Sequence, residues 1–332
     1  MLKPPYVLFV GDARDQLAAK TAVGVQYWRP QMCIGQIRLD GCRASLELPV
    51  MTIADACAAG ARTLIVGLAN AGGTISESWL PTLTEALAAG LHLASGLHQR
   101  LTDIPSLCAA AAASGCSLID VRHPRQAFAV GTGARRSGRR LLTVGTDCSV
   151  GKMYTALAIE RELHKRGIAA DFRATGQTGI FIAGDGVSVD AVVADFISGA
   201  VEELAPANAP DHWDVIEGQG SLFHPSFAGV SLGLLHGAQA EALVMCHEPT
   251  RTHMRGLPHQ PMPALKHCIA ANEAAARLTQ PDARCIGVAV NTSGLTAAAA
   301  ADTLERLADA SGLPCVDPVA GSVAPLVERL LA

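Results

Sequence analysis

The segment Gly145-Thr146-Asp147-Cys148-Ser149-Val150-Gly151-Lys152 reads G-x-x-x-x-x-G-K, one residue longer between its glycines than G-x-x-x-x-G-K, the pattern of a loop that turns its backbone N–H groups around an anionic oxygen. Leu141-Leu142-Thr143-Val144 before it reads as a strand. The stretch after it reads as a helix, because Met153, Ala156, Leu157, Ile159 and Leu163 recur at three-to-four spacings before Lys165, Arg166 and Gly167. The helix N-terminus and Lys152 add positive charge to the cradle. Nucleotide hydrolases carry Ser or Thr after that lysine to hold magnesium. This chain has Met153, whose thioether is a poor ligand for a hard cation. A cradle without its metal ligand favours a phosphate-bearing ligand whose chemistry needs no Mg²⁺, such as coenzyme A. ATP stays open, since Thr146, Asp147, Ser149 or Glu217 could supply the missing oxygen. Cys148 sits where a thiolate would be favoured, and has an equal claim as a small loop-packing residue.

In parallel α/β sheets ligands gather at the carboxyl ends of strands, so the residues after each expected strand are the next candidates. Arg173-Ala174-Thr175-Gly176-Gln177-Thr178-Gly179 offers a guanidinium, hydroxyls and an amide on a turn suited to a substrate carboxylate. Asp214-Val215-Ile216-Glu217-Gly218-Gln219-Gly220 ends in an acid whose apolar strand would raise its proton affinity into the range of a general base. His224 could assist the proton transfer, or bond within its loop. After the strand Ala242 to Cys246, Arg251 and Arg255 could bind anions. The histidines at 247, 253 and 259 lack a compact metal-binding spacing. Asn291-Thr292 could contact a base or ribose, or cap the next helix. G-x-G-x-x-G is absent after Val10, which argues against a nicotinamide dehydrogenase, and no G-x-S-x-G nucleophile elbow appears.

These residues must be carried by apolar strands alternating with Ala/Leu-rich helices, the pattern of βα repeats and a parallel sheet covered on both faces. Strands are expected at Tyr6 to Val10, Thr63 to Leu68, Leu91 to Ser95 and Ser117 to Val121, with helices from about Ile53, Trp79 and Ile104. A second series runs through Leu141 to Val144, Ala170 to Ala174, Asp214 to Glu217, Ala242 to Cys246, Cys285 to Val290 and Cys315 to Val316. Its helices are expected near 151 to 166, 188 to 204, 263 to 278, 296 to 310 and 322 to 331. Between the series, residues 131–140 are Gly-rich and basic without periodicity, which predicts domains at 1–130 and 141–332 joined by a solvated linker or a phosphate-contacting arm. The 332 residues are 49% hydrophobic with net charge −4, which supports two cores and gives no global field for nucleic acid. Ten cysteines without C-x-x-C spacing read as reduced core residues. No apolar run is long enough to span a membrane, so a soluble cytoplasmic protein is expected. Alanine-rich surfaces suit a homo-oligomer.

The chain resembles the D-glutamate N-acetyltransferase family. The resemblance rests on Gly145 to Met153, on Ala174-Thr175-Gly176-Gln177-Thr178-Gly179, on Glu217-Gly218-Gln219-Gly220-Ser221-Leu222 with His224-Pro225, and on Ala19-Lys20-Thr21-Ala22 and Ser95-Gly96-Leu97-His98. It implies an N-terminal Rossmann-like domain and a C-terminal P-loop domain. It also implies transfer of acetyl from acetyl-CoA to the amine of D-glutamate, the opening step of a catabolic route. The P-loop domain is similar to the dethiobiotin synthetase class, from which Met153 departs. The expected mechanism has Gly145 to Met153 and Lys152 anchoring the phosphates of acetyl-CoA, and Arg173 and Arg251, with Thr175 and Gln177, binding the amino acid in an interdomain cleft. Glu217, directly or through His224, takes the amine proton. Backbone N–H groups near Gly218 to Gly220 steady the oxyanion, without metal or covalent intermediate. An ATP-dependent ligase or kinase and a non-enzymatic nucleotide sensor are the alternatives.

Overall fold

Apolar strands buried on both faces organise each half of the chain. The computed structural model describes residues 2–124 and 126–332, which fall into two compact units, Met1–Arg125 with Gln177–Ser188 and Gln126–Gly176 with Val189–Ala332. In the first unit β1 (Tyr6–Gly11) leads through α1 (Lys20–Trp28) to β2 (Cys33–Arg38) and α2 (Ile53–Ala58). Then come β3 (Thr63–Val66), α3 (Leu80–Ala88), β4 (His92–Ser95), α4 (Pro105–Ser114) and β5 (Leu118–Asp120). The sheet is parallel in the order β2-β1-β3-β4-β5. Every residue of β1 is buried, as an unbroken YVLFVG run requires of a central strand.

Sequence reading missed α1 and β2. The α1 run KTAVGVQYW mixes β-branched, aromatic and glycine residues that individually disfavour helix, and tertiary packing overrides them. In β2 a polar residue disguises the strand. Gln36 is buried and its amide bonds the Leu46 carbonyl at 2.8 Å, the Leu48 carbonyl at 2.7 Å and the Leu46 N–H at 3.0 Å.

The second unit starts its sheet with β6 (Arg139–Gly145), followed by α5 (Lys152–Lys165) and β7 (Ala170–Arg173). The chain then supplies α6 (Gln177–Ala183) to the first unit and returns with α7 (Ile197–Leu204), β8 (Trp213–Ile216), α8 (Ala228–Ala238) and β9 (Ala242–His247). A hairpin, β10 (His253–Met254) with β11 (Leu257–Pro261), precedes α9 (Leu265–Ala276), β12 (Arg284–Val290), α10 (Ala297–Ser311), β13 (Cys315–Val316) and α11 (Ala324–Leu331). The six-stranded sheet runs β13-β12-β9-β6-β8-β7, all parallel. After β6 the chain crosses to one side and after β9 to the other, so the crevice at the carboxyl ends of β6 and β9 is the switch point where such sheets bind ligands. The helix expected over 188 to 204 shrinks to α7. Residues 189–196 ahead of it form only two short 3₁₀ turns, Val189–Ala191 and Ala194–Phe196.

The basic run 131–140 is built into the second unit. Glu202 of α7 accepts from the N–H groups of Thr132 and Gly133. Arg136 donates to the carbonyls of Glu202 (2.9 Å), Ala205 (2.6 Å) and Gly237 (2.5 Å). Arg140 donates to those of Ser137 (2.8 Å) and Pro206 (3.2 Å). Arg139, which opens β6, lies 4.4 Å above the Trp213 ring and pairs with Glu241 at 2.7 Å. The Arg136 guanidinium closes off carbonyls at the ends of α7 and α8 that would otherwise be left without partners. Among the described residues no helix is long and apolar enough to cross a membrane.

Candidate active site

The loop after β6 has the backbone of an anion nest. Ser149 (φ +55°) and Gly151 (φ +102°) adopt left-handed conformations, and alternating handedness turns successive N–H groups inward. A non-glycine residue held there costs about 1–3 kcal/mol, which the surrounding loop must offset. The amides of Asp147, Ser149, Val150 and Gly151 donate to no group among the described residues, whereas Thr146 N–H is spent on the Cys246 carbonyl at 3.0 Å. Lys152 opens α5 and is 7% exposed, with its Nζ 2.9 Å from the Asp147 carbonyl. Burial pushes its pKa down, against the pull of Cys148, Cys246, Asp147 and Glu217.

Glu217 follows β8 and is 4% exposed. Its Oε2 accepts from the N–H groups of Thr175 (2.9 Å) and Gly176 (3.1 Å), and Thr175 Oγ1 donates to its backbone carbonyl at 2.6 Å. Burial raises its pKa to about 7, although the two amides and Lys152 favour the ionised form. Such a carboxyl accepts a proton near neutrality. Gly218 is needed for close approach, because a Cβ there would fall 1.7 Å from the Thr143 carbonyl oxygen.

The segment after β9 is fastened to the same loop. Asp147, fully buried, bonds Arg251 Nη1 through Oδ2 at 2.5 Å, the Arg255 N–H at 2.7 Å and, through Oδ1, the Cys148 N–H at 2.7 Å. Arg251 also pairs with Glu248. His224, buried after β8, accepts from the Ser226 N–H at Nδ1 (3.2 Å), which leaves Nε2 to donate to the Arg255 carbonyl at 3.0 Å. Asp147 and His224 thus hold the Arg255 backbone from its two sides. The Arg255 guanidinium is exposed and has no partner among the described residues.

The structure therefore brings Lys152, Glu217, His224, Cys148 and Arg251 together around the loop Gly145–Met153. Arg173 is turned elsewhere. Its guanidinium binds Asp214 at 2.7 Å and Asp171 at 3.1 Å, so its charge is matched before any carboxylate arrives. Thr175 is spent on Glu217. Gln177 belongs to the first unit, where its amide donates to the Gly96 carbonyl at 2.5 Å and accepts from Arg122 at 3.1 Å. Donor atoms of Asp147, Cys148 and His224 lie within 4.8 Å of one another, but Asp147 and both nitrogens of His224 already have protein partners. Sequence reasoning undervalued Arg255 beside Arg251. Only its position, with backbone clamped and side chain free, sets it apart.

Residues 127–327 match a P-loop domain of unknown function, DUF1611_C, and residues 37–124 match its Rossmann-like companion, DUF1611_N. A D-glutamate N-acetyltransferase of Pseudoalteromonas sp is 50% identical over 329 residues, covering 99% of both chains. One of Tritonibacter scottomollicae is 52% identical over 332 residues, covering both chains completely. The chain belongs to the D-glutamate N-acetyltransferase family. It is accordingly an enzyme of the acyltransferase class. The crystal structure of a DUF1611 family protein from Anabaena variabilis matches it with a TM-score of 0.88 and 32% identity over 99% of each chain, so the family shares the Rossmann-like and P-loop units.

Proposed function

We propose that the chain moves the acetyl group of acetyl-CoA to the amine of D-glutamate, a step in the breakdown of that D-amino acid in the cytoplasm. The observation that carries the reading is Glu217, a buried carboxyl with pKa raised to about 7, set beside a loop whose next residue, Met153, offers magnesium no oxygen. An amino-acid ammonium cannot attack a thioester until it loses a proton, and Glu217 is the group suited to take it. The loop Gly145–Met153 receives the acyl donor, with Lys152 supplying positive charge. Arg255 and, in part, Arg251 meet the carboxylates of the acceptor. His224 and Thr175 position the loop and the base. The reaction so read needs no divalent metal.

The test is release of coenzyme A from acetyl-CoA across a panel of D- and L-amino acids, with ATP and Mg²⁺ added in parallel. Acceptor-dependent release, fastest with D-glutamate and indifferent to ATP, is the expected result. A strict requirement for ATP and Mg²⁺ would establish a ligase or kinase instead.

A further inference from the structure

Coenzyme A carries its phosphates and its thioester at opposite ends of the long pantetheine arm. One small loop does not hold both ends at once. Glu217 lies at the loop, since its neighbour Gly218 packs against the Lys152 side chain, where a Cβ would fall 3.0 Å from Cδ, and donates its N–H to Thr143 Oγ1 at 3.0 Å; the reacting carbonyl therefore has to come to the loop as well. The free amides of Asp147, Ser149, Val150 and Gly151 then face an acyl oxygen. At the centre of this nest is Cys148. Among the described residues the thiols of Cys148 and Cys268 donate to no group, and Cys268 is fully buried whereas Cys148 is partly exposed. Its Sγ lies within 4.8 Å of a His224 ring nitrogen and of an Asp147 carboxylate oxygen.

Resting on the acetyl-CoA reading above, we infer that Cys148 is a catalytic nucleophile that carries the acetyl group as a thioester, with the free loop amides holding the carbonyl oxygen. In the first half-reaction His224 takes the thiol proton, giving up the long bond from Ser226 N–H. Cys148 Sγ then bonds the acetyl carbon, and the bond from that carbon to the coenzyme A sulfur breaks. The departing thiolate collects the proton from His224. In the second, Glu217 removes one proton from the substrate ammonium and the amine attacks the acetyl-cysteine. The Cys148 sulfur leaves with the bonding pair and is reprotonated by the proton the amide nitrogen sheds. The net release is one proton per turnover. Burial and the Asp147 carboxylate keep the resting thiol protonated, while Lys152, Arg255 and Arg251 favour the thiolate.

The wild-type enzyme mixed with acetyl-CoA and no acceptor tests this directly. Expected are one coenzyme A released per chain in a burst, a mass gain of one acetyl group on the peptide containing Cys148, and loss of that label on adding D-glutamate at a rate no slower than turnover. Cys148→Ala should show neither burst nor label and lose roughly a thousandfold or more in kcat. Should that variant misfold, the wild-type label still decides. Normal turnover of D-glutamate with no acetyl on Cys148, or with acetyl only on other cysteines, overturns the covalent route and leaves direct transfer standing. Failure of every amino acid to release coenzyme A overturns the acetyl-transfer reading itself, a separate outcome.

Discussion

Replacing Glu217 with Gln tests the buried base through stability as well as rate. In the folded protein its pKa rises from 4.5 to about 7, so the native state holds this proton more tightly than the unfolded chain does. The stability this contributes is fully present below pH 4.5 and is lost as pH rises through 7. At 1.36 kcal/mol per pH unit, the loss approaches about 3 kcal/mol on the alkaline side. Glu217 is 4% exposed, so solvent screening reduces that figure little. Glutamine has no charge to bury, and its carbonyl oxygen can still accept from Thr175 or Gly176. Urea unfolding of both proteins at pH 4.5 and at pH 8.5 should therefore show the variant gaining about 3 kcal/mol relative to wild type across that interval. Over the same interval wild-type kcat/KM should climb through about pH 7. The variant should lose roughly 10²–10⁴ in kcat with a smaller change in KM. A stability difference that does not move with pH, together with unimpaired turnover, would refute both the burial argument and the assignment of the base.

Arg255→Ala should raise KM for the amino acid by roughly tenfold to a hundredfold, the worth of a charge-assisted bond, while Arg173→Ala should leave it near wild type. Steady-state kinetics of the two variants separates a free guanidinium from one already paired with Asp214 and Asp171. Arg136→Ala strands the carbonyls of Glu202, Ala205 and Gly237 and should cost about 3 kcal/mol in urea unfolding with little change in KM. Turnover should survive prolonged chelation, and a loss reversed by added Mg²⁺ or Zn²⁺ would show that some oxygen or sulfur of the loop does hold a metal.

Local pattern alone determined the α/β class, most of the strands and the anion-binding loop. An apolar run buried on both faces, a glycine-rich turn ending in Gly-Lys and a helical period are properties of neighbouring residues, and the backbone has few other ways to satisfy them. Met153 was legible for the same reason, since one side chain decides whether a hard cation finds an oxygen there. Elements stabilised from a distance were not legible. The β2 strand depends on loop carbonyls ten and twelve residues away that satisfy Gln36, and α1 depends on packing that overrides its propensities. The fate of the arginines was likewise a tertiary matter. Arg136 faces helix-end carbonyls, Arg140 faces loop carbonyls, Arg173 faces Asp214 and Arg251 faces Asp147, whereas the Arg255 guanidinium has no hydrogen-bond or ion-pair partner among the described residues. Sequence shows which groups carry charge, but a guanidinium binds whichever oxygen the fold places beside it. Pairing is therefore decided by residues forty to a hundred positions apart, brought together only when the sheet forms.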